Sequence, residues 1–185
     1  IARINSDTEA ARKRADVIGA KVIGTATAPI TTASDAQDSS FGSSVRNRES
    51  AMSNMVAQMF KDTLGKEDPN FIGIQNPGGT RASLQSGEIT YKDAALVLPF
   101  ANSLMTTTVT GEQFKQVLEE QWQHDEKGQV PSRPFLSLGL SSNVSYTYDE
   151  NLPEGQRVTS VWVNGKPIDP KASYTVGSGS FLING

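Results

Sequence analysis

Three short stretches of this chain set polar and aromatic residues at spacings suited to holding a ligand. The first is Asn76-Pro77-Gly78-Gly79-Thr80-Arg81, which follows the apolar run Phe71-Ile72-Gly73-Ile74. A buried strand that ends in two glycines lets backbone amides come close to a ligand, and Asn76 and Arg81 flank the turn as polar grips. The loop lacks the Gly-Lys-Ser/Thr ending of a Walker motif. An ordinary glycine-rich turn carrying a surface Arg has the same composition. The second stretch is Leu98-Pro99-Phe100-Ala101-Asn102. Here an aromatic face beside an amide can stack on a ring and hydrogen-bond its edge, or Phe100 can be buried while Asn102 caps a turn. The third is Val45-Arg46-Asn47-Arg48-Glu49, whose Arg pair can grip a carboxylate or phosphate in bidentate fashion or can remain solvated.

Other reactive groups are few. The chain has one His and no Cys, which excludes thiol nucleophiles, disulfides, thiolate metal sites and any metal centre built on two imidazoles. A Ser–His–acid arrangement would have to use His124, expected at a helix end, and no Gly-x-Ser-x-Gly elbow accompanies it. The carboxylate pairs Glu119-Glu120 and Asp149-Glu150 read as solvated charge on a helix face and in a turn. With 17 basic against 20 acidic residues the net charge is −3, too little positive charge for binding a nucleic-acid polymer through a basic face. No apolar run reaches the ~18 residues of a membrane span.

The elements that must position these stretches are legible in outline. Ser6-Asp7-Thr8-Glu9 has capping-box spacing and starts a helix that stops near Gly19. Lys21 to Thr27 reads as a strand with Val22 and Ile23 buried, and residues 28–44 as a long polar loop. Glu49 to Leu64 carries Met52, Met55, Val56, Met59, Phe60 and Leu64 at helical spacing, a core-facing stripe or an adaptable Met-rich groove. Thr90-Tyr91-Lys92-Asp93 starts a short helix, Leu96-Val97-Leu98 returns to strand, and Leu104 to Val109 forms another. Thr110-Gly111-Glu112-Gln113 is a second capping box, opening a helix with Phe114, Val117, Leu118 and Trp122 on one face. Val144 to Tyr148 alternates as a strand, Asn164-Gly165 marks a hairpin after Val158 to Val163, and Tyr174 to Val176 is a last strand. Helices interleaved with hairpins give an α+β class around a mixed sheet, in a single domain over residues 1–185.

Taken in order, the segments NPGGTRASLQSGEITYKDAALVLPFANSL, TGEQFKQVLEEQ, RPFLSLGLSSNVSYTYD and VWVNGKPIDPKASYTVGSGSFLING resemble the C-terminal domain of the 5'-nucleotidase/UDP-sugar hydrolase family, from about Val45 to Gly185. That family reads N-x-G-G-x-R, G-x-I-T, L-P-F-x-N/G and T-G, then closes on F-L-A-x-G-G-D. The resemblance implies a substrate-binding domain whose catalytic partner, an upstream metallophosphoesterase domain, holds two divalent metals of the Zn or Mn type. A large domain rotation would bring the substrate to them. It further implies that Arg46 (with Arg48) and Arg81 hold the ribose or phosphate side, and that Asn76 hydrogen-bonds base or sugar. Gly78 and Gly79 admit the ligand, Phe100 and Phe181 sandwich the base, and Asn102 meets its edge. Gly139 matches a family glycine position loosely.

The expected activity of the whole protein is hydrolysis of nucleoside 5'-phosphates or nucleotide sugars outside the cytoplasm, with no catalysis or cofactor in this stretch alone. The sequence opens on an apparent helix and stops at Asn184-Gly185, ahead of the family's Gly-Gly-Asp, and is read as trimmed at both ends. Pro77 departs from the family's usual glycine, stiffening the turn and removing one amide donor. Two other readings stay open: a non-catalytic binding module that kept this fold, and a serine hydrolase using His124.

Overall fold

The computed structural model describes residues 2–33 and 45–184. The chain runs α1 (Ala2–Gly19), β1 (Val22–Ala26), α2 (Ala51–Leu64), β2 (Phe71–Gln75), a 3-10 turn (Pro77–Gly79), β3 (Gly87–Thr90), α3 (Tyr91–Val97), β4 (Leu104–Thr110), α4 (Gly111–Glu119), β5 (Gly139–Leu140), β6 (Val144–Tyr148), β7 (Val158–Val163), β8 (Lys166–Pro167), β9 (Ser173–Gly179) and α5 (Ser180–Asn184). The class is the expected α+β. A mixed four-stranded sheet has the order β4-β9-β2-β5, an antiparallel β6-β7-β8 sheet lies beside it, and β1 pairs with β3.

All five residues of β2 are buried, because the strand is covered on both faces. Ile72 and Ile74 join Phe114 and Leu118 of α4, Val158, Val161 and Val163 of β7, and Tyr174 and Val176 of β9 in one cluster. On the other side α2 lies against the sheet. A Cβ on Gly73 would collide with the carbonyl oxygen of Ala57, and one on Gly139 with that of Ser53, so both glycines are set by the close approach of α2. Met52, Val56 and Phe60 of α2 form a second cluster with Ala82, Leu84, Ile89 and Val97. The Met stripe therefore divides: Met52 is core, whereas Met55 and Met59 face outward.

Local signals were obeyed where the chain's own hydrogen bonds decide the outcome. Ser50 caps α2 by accepting from Ser53 N–H. Thr90 and Thr110 form complete capping boxes with Asp93 and Gln113 at the starts of α3 and α4. The Asn164-Gly165 hairpin holds both residues at positive φ, 53° and 72°, as a two-residue turn between twisted strands requires.

Several expectations are corrected. Ser6 is not a cap, since α1 is already helical at Ala2. Val22 and Ile23 are about half exposed (46% and 51%), because among the described residues β1 pairs with β3 alone, in a two-stranded sheet. Leu96 and Val97 finish α3 and do not form a strand. In a short apolar run periodicity does not separate the two, and the Thr90 capping box prevails. The fourth helix stops at Glu119, so Trp122 is not on it and instead bridges to Phe135. Of the expected loop over 28–44, Ile30 forms a bridge to Leu84, and residues 34–44 lie outside the described residues.

Candidate functional site

Strand directions alone bring the site together. Because β2 and β9 are parallel, the segments that follow them leave from the same end of the sheet: the loop Asn76–Arg81 after β2, and α5 with Phe181 after β9. The neighbouring strands run the opposite way, pairing Leu104 with Gly179 and Gly139 with Gln75, so the segments that precede β4 and β5 arrive at that end too. Those segments carry Phe100 and Asn102, and Arg133 to Leu138. Loops at the carboxyl ends of parallel strands are a common place for ligands in α/β sheets.

A cavity of about 220 Å³ at this end is lined by Arg46, Asn76, Gly78, Gly79, Phe100, Asn102 and Phe181. The structure thus gathers seven of the eight residues singled out in the sequence. Arg81 stands apart: its backbone N–H donates to Val97 O and its guanidinium reaches Gly78 O at 3.4 Å. A second cavity of about 370 Å³ shares Arg46, Asn76, Gly78 and Phe181 and extends to Gln121, Leu136 and Leu138.

The polar wall is interlocked. Pro77 opens the 3-10 turn, where a missing N–H costs nothing, and Gly79 N–H closes it on Asn76 O at 3.0 Å. A Cβ on Gly78 would stand 2.9 Å from Arg46 Nη1, and one on Gly79 would stand 2.5 Å from Gln75 Nε2 and 2.7 Å from Asn76 Oδ1. The two glycines therefore leave room for the side chains that surround them. Arg46 is brought in from before α2 by Ser137 N–H, which donates to its carbonyl at 2.7 Å.

The aromatic wall is different. Phe100 and Phe181 are 58% and 66% exposed, although each is a large apolar side chain. The turn that presents Phe100 includes Ala101 at φ 52°. It is tied to the start of α5 by Ser180 N–H donating to Ser103 O at 2.8 Å, and Asn102 Cβ lies 3.2 Å from where a Cβ on Gly179 would be. Both rings are thus held by the same junction of β4 and β9.

Burial is the first cause that pushes the Arg46 guanidinium below its ordinary pKa, followed by the positive charges of Arg133 and Arg81. Tyr146 is pushed up by burial, against the opposing effect of its hydrogen bond with Gln121. Gln121 is fully buried and was not recognised in the sequence. It donates to Leu118 O and Tyr146 OH, and accepts from Leu138 N–H at 2.9 Å, fixing the segment before β5.

Two other sequence readings change. Glu119 is buried, not solvated, and its carboxylate accepts from the N–H groups of Arg157 and Val158 at 3.1 and 2.6 Å. His124 lies beyond the end of α4, where it pairs with Glu154 at 3.1 Å, away from the lining of the cavity. Among the described residues no three His, Cys, Asp or Glu side chains converge where they could hold a metal ion. No helix among them is long and apolar enough to cross a membrane.

The comparisons with known proteins agree with one another. A family model described as 5'-nucleotidase, C-terminal domain, matches residues 22–185. A probable 5'-nucleotidase of Treponema pallidum is 36% identical over 118 residues, which is 60% of this chain and 19% of that protein. The NAD 5'-nucleotidase of Haemophilus influenzae is 35% identical over 121 residues, 62% of this chain and 19% of its own length. The crystal structure of a 5'-nucleotidase precursor from Thermus thermophilus superposes with a TM-score of 0.75 at 27% identity, covering 98% of this chain and 34% of that one. The chain therefore spans well under half of each relative.

Proposed function

The chain belongs to the 5'-nucleotidase family as its C-terminal domain, and from that premise we propose that residues 1–185 form the substrate-binding domain of a nucleotide phosphohydrolase. The observation that carries this reading is the cavity between two exposed phenylalanines and a glycine-shaped polar loop. A nucleobase has two apolar faces and a polar rim. Phe100 and Phe181 offer faces to stack on, Asn102 and Asn76 offer amides to the rim or sugar, and Arg46 and Arg81 offer positive charge to the phosphate side. The whole protein would hydrolyse nucleoside 5'-phosphates or nucleotide sugars outside the cytoplasm. Its two divalent metals would be held by an upstream metallophosphoesterase domain, and residues 1–185 alone would not hydrolyse substrate.

The test is calorimetric titration of the protein with adenosine and with uridine, repeated on Phe100→Ala. Loss of one stacking face should weaken binding by about 1–3 kcal/mol, or roughly fivefold to 150-fold. Unchanged affinity in that variant rejects the stacking assignment.

A further inference from the structure

The loop after β2 turns at Gly78 and Gly79, and glycines lose more conformational freedom on being ordered than any other residue. Asn76, Gly78 and Gly79 nevertheless line the pocket between the phenylalanines, where a ligand needs them in one arrangement. The Asn76 side chain does not cap the turn. Two buried side chains outside the lining brace the loop instead.

Gln75 is the last residue of β2 and Thr80 the first after the glycines, and they are 4% and 3% exposed. Gln75 Nε2 donates to Thr80 Oγ1 at 3.3 Å, joining the entry of the loop to its exit. The same amide runs against Gly79, where a Cβ would stand 2.5 Å from Nε2. From α2, Ser53 Oγ donates to the same Thr80 oxygen at 3.4 Å. Ser53 Oγ in turn accepts from Ser50 Oγ at 2.9 Å, and Ser50 Oγ accepts from Ser53 N–H at the N-cap of α2. A chain of buried polar groups thus leads from the start of α2 to the loop. Both bonds to Thr80 are long, and burial gives them their weight. Without that oxygen an amide N–H and a hydroxyl lose their acceptor where water does not replace it. Valine has the shape of threonine, so packing alone does not call for the hydroxyl.

We propose that Gln75 and Thr80 are positioning residues for the pocket: their clasp, anchored on α2 through Ser53, sets the backbone of Gly78 and Gly79 and with it the place of Asn76. Neither residue lines the cavity, so both act through the loop. What the pocket holds rests on the nucleoside-binding reading above; how the loop is held does not.

The experiment measures adenosine affinity by calorimetry and hydrogen exchange at the Gly79 amide, which closes the turn on Asn76 O. It compares wild type with Thr80→Val, Thr80→Ser, Gln75→Met and the double variant Gln75→Met with Thr80→Val. Thr80→Val keeps the shape and loses the acceptor, and should weaken adenosine and speed Gly79 exchange by about tenfold each. Thr80→Ser keeps the acceptor and loses a buried methyl group. It should stay within about twofold of wild type in both, although its unfolding midpoint falls. Gln75→Met should follow Thr80→Val, and carries the test if that variant does not fold. The double variant should be little worse than Thr80→Val, because the two changes break one shared bond. A packing role predicts the reverse order, with Thr80→Ser the weaker binder, and overturns the clasp. Unchanged Gly79 exchange in Thr80→Val, or fully additive losses in the double variant, also overturns it. If adenosine does not bind wild type while Gly79 exchange keeps the expected order, the clasp stands and the nucleoside reading falls.

Discussion

The two walls of the central pocket are built on opposite plans. The polar wall grows directly out of β2, a strand buried along its whole length, and its glycines are hemmed in by Arg46, Gln75 and Asn76. The aromatic wall is two rings that folding leaves in water. Burying an exposed Phe is favourable by about 1.5–3 kcal/mol, and this fold forgoes that gain twice at one place. The contrast teaches where stability and the proposed binding part company: the polar wall is a by-product of packing, whereas the rings stay exposed and, on the proposed reading, are left for a ligand to cover.

That contrast can be broken from the packed side first. Gly73→Ala pushes a methyl group into the backbone of α2 at Ala57. It should cost about 3 kcal/mol of stability, read by chemical denaturation, with ligand affinity lost as the end of β2 shifts. Phe181→Ala tests the other plan. Affinity for a nucleoside should fall by about 1–3 kcal/mol, while the unfolding midpoint moves little, because a side chain this exposed contributes within about 0.5 kcal/mol. A large drop in midpoint would mean that the ring is structural after all.

Gly79→Ala lies between the two. Its new methyl group meets the ends of Gln75 and Asn76, side chains that can move, and not backbone. The stability cost should stay near 1 kcal/mol, with a severalfold loss of affinity as Asn76 is displaced, read in the same titration.

The smallest effect is a pH dependence on the aromatic side. Asp93 accepts from Thr90 Oγ1 at 2.6 Å and from Thr90 N–H at 2.8 Å, and these bonds hold its carboxyl below the ordinary carboxylate pKa. A lowered folded value stabilises the start of α3 above the unfolded carboxyl value of about 4. That stabilisation is lost as pH falls through the lowered value. Hydrogen exchange in residues 91–97, the helix leading to Phe100, should therefore accelerate selectively below about pH 4. No change relative to Asp93→Asn would show that the cap does not support this wall.

What could be read in advance follows the same division. Capping at Thr90 and Thr110 and the turn at Asn164-Gly165 are decided by neighbours within three residues, and these were legible. So were the polar loop and Phe100 and Phe181, as members of an ordered set of motifs. What was not legible depends on residues far apart in the chain. Glu119 looked solvated because its partners, the N–H groups of Arg157 and Val158, come from another element. Val22 and Ile23 look like core residues, and their exposure follows only from the sheet order, in which β1 pairs with β3 alone among the described residues. Arg133 opens one of the resembling segments but was given no role there, and its place beside Arg46 is set by β5 pairing with β2 and by a bond from Ser137.

The position of β9 has a consequence for how the protein comes into being. It follows all the other described strands in sequence, yet it lies inside the sheet between β4 and β2, pairing Phe71 with Thr175 in parallel. A chain emerging from the ribosome presents β2 and β4 long before the strand that joins them. Until that strand arrives, both have open edges that can recruit the wrong partner. The same late strand delivers Phe181 and secures the turn bearing Phe100. Completion of the sheet and birth of the pocket are therefore a single event, and a nascent chain halted before Ser173 has neither.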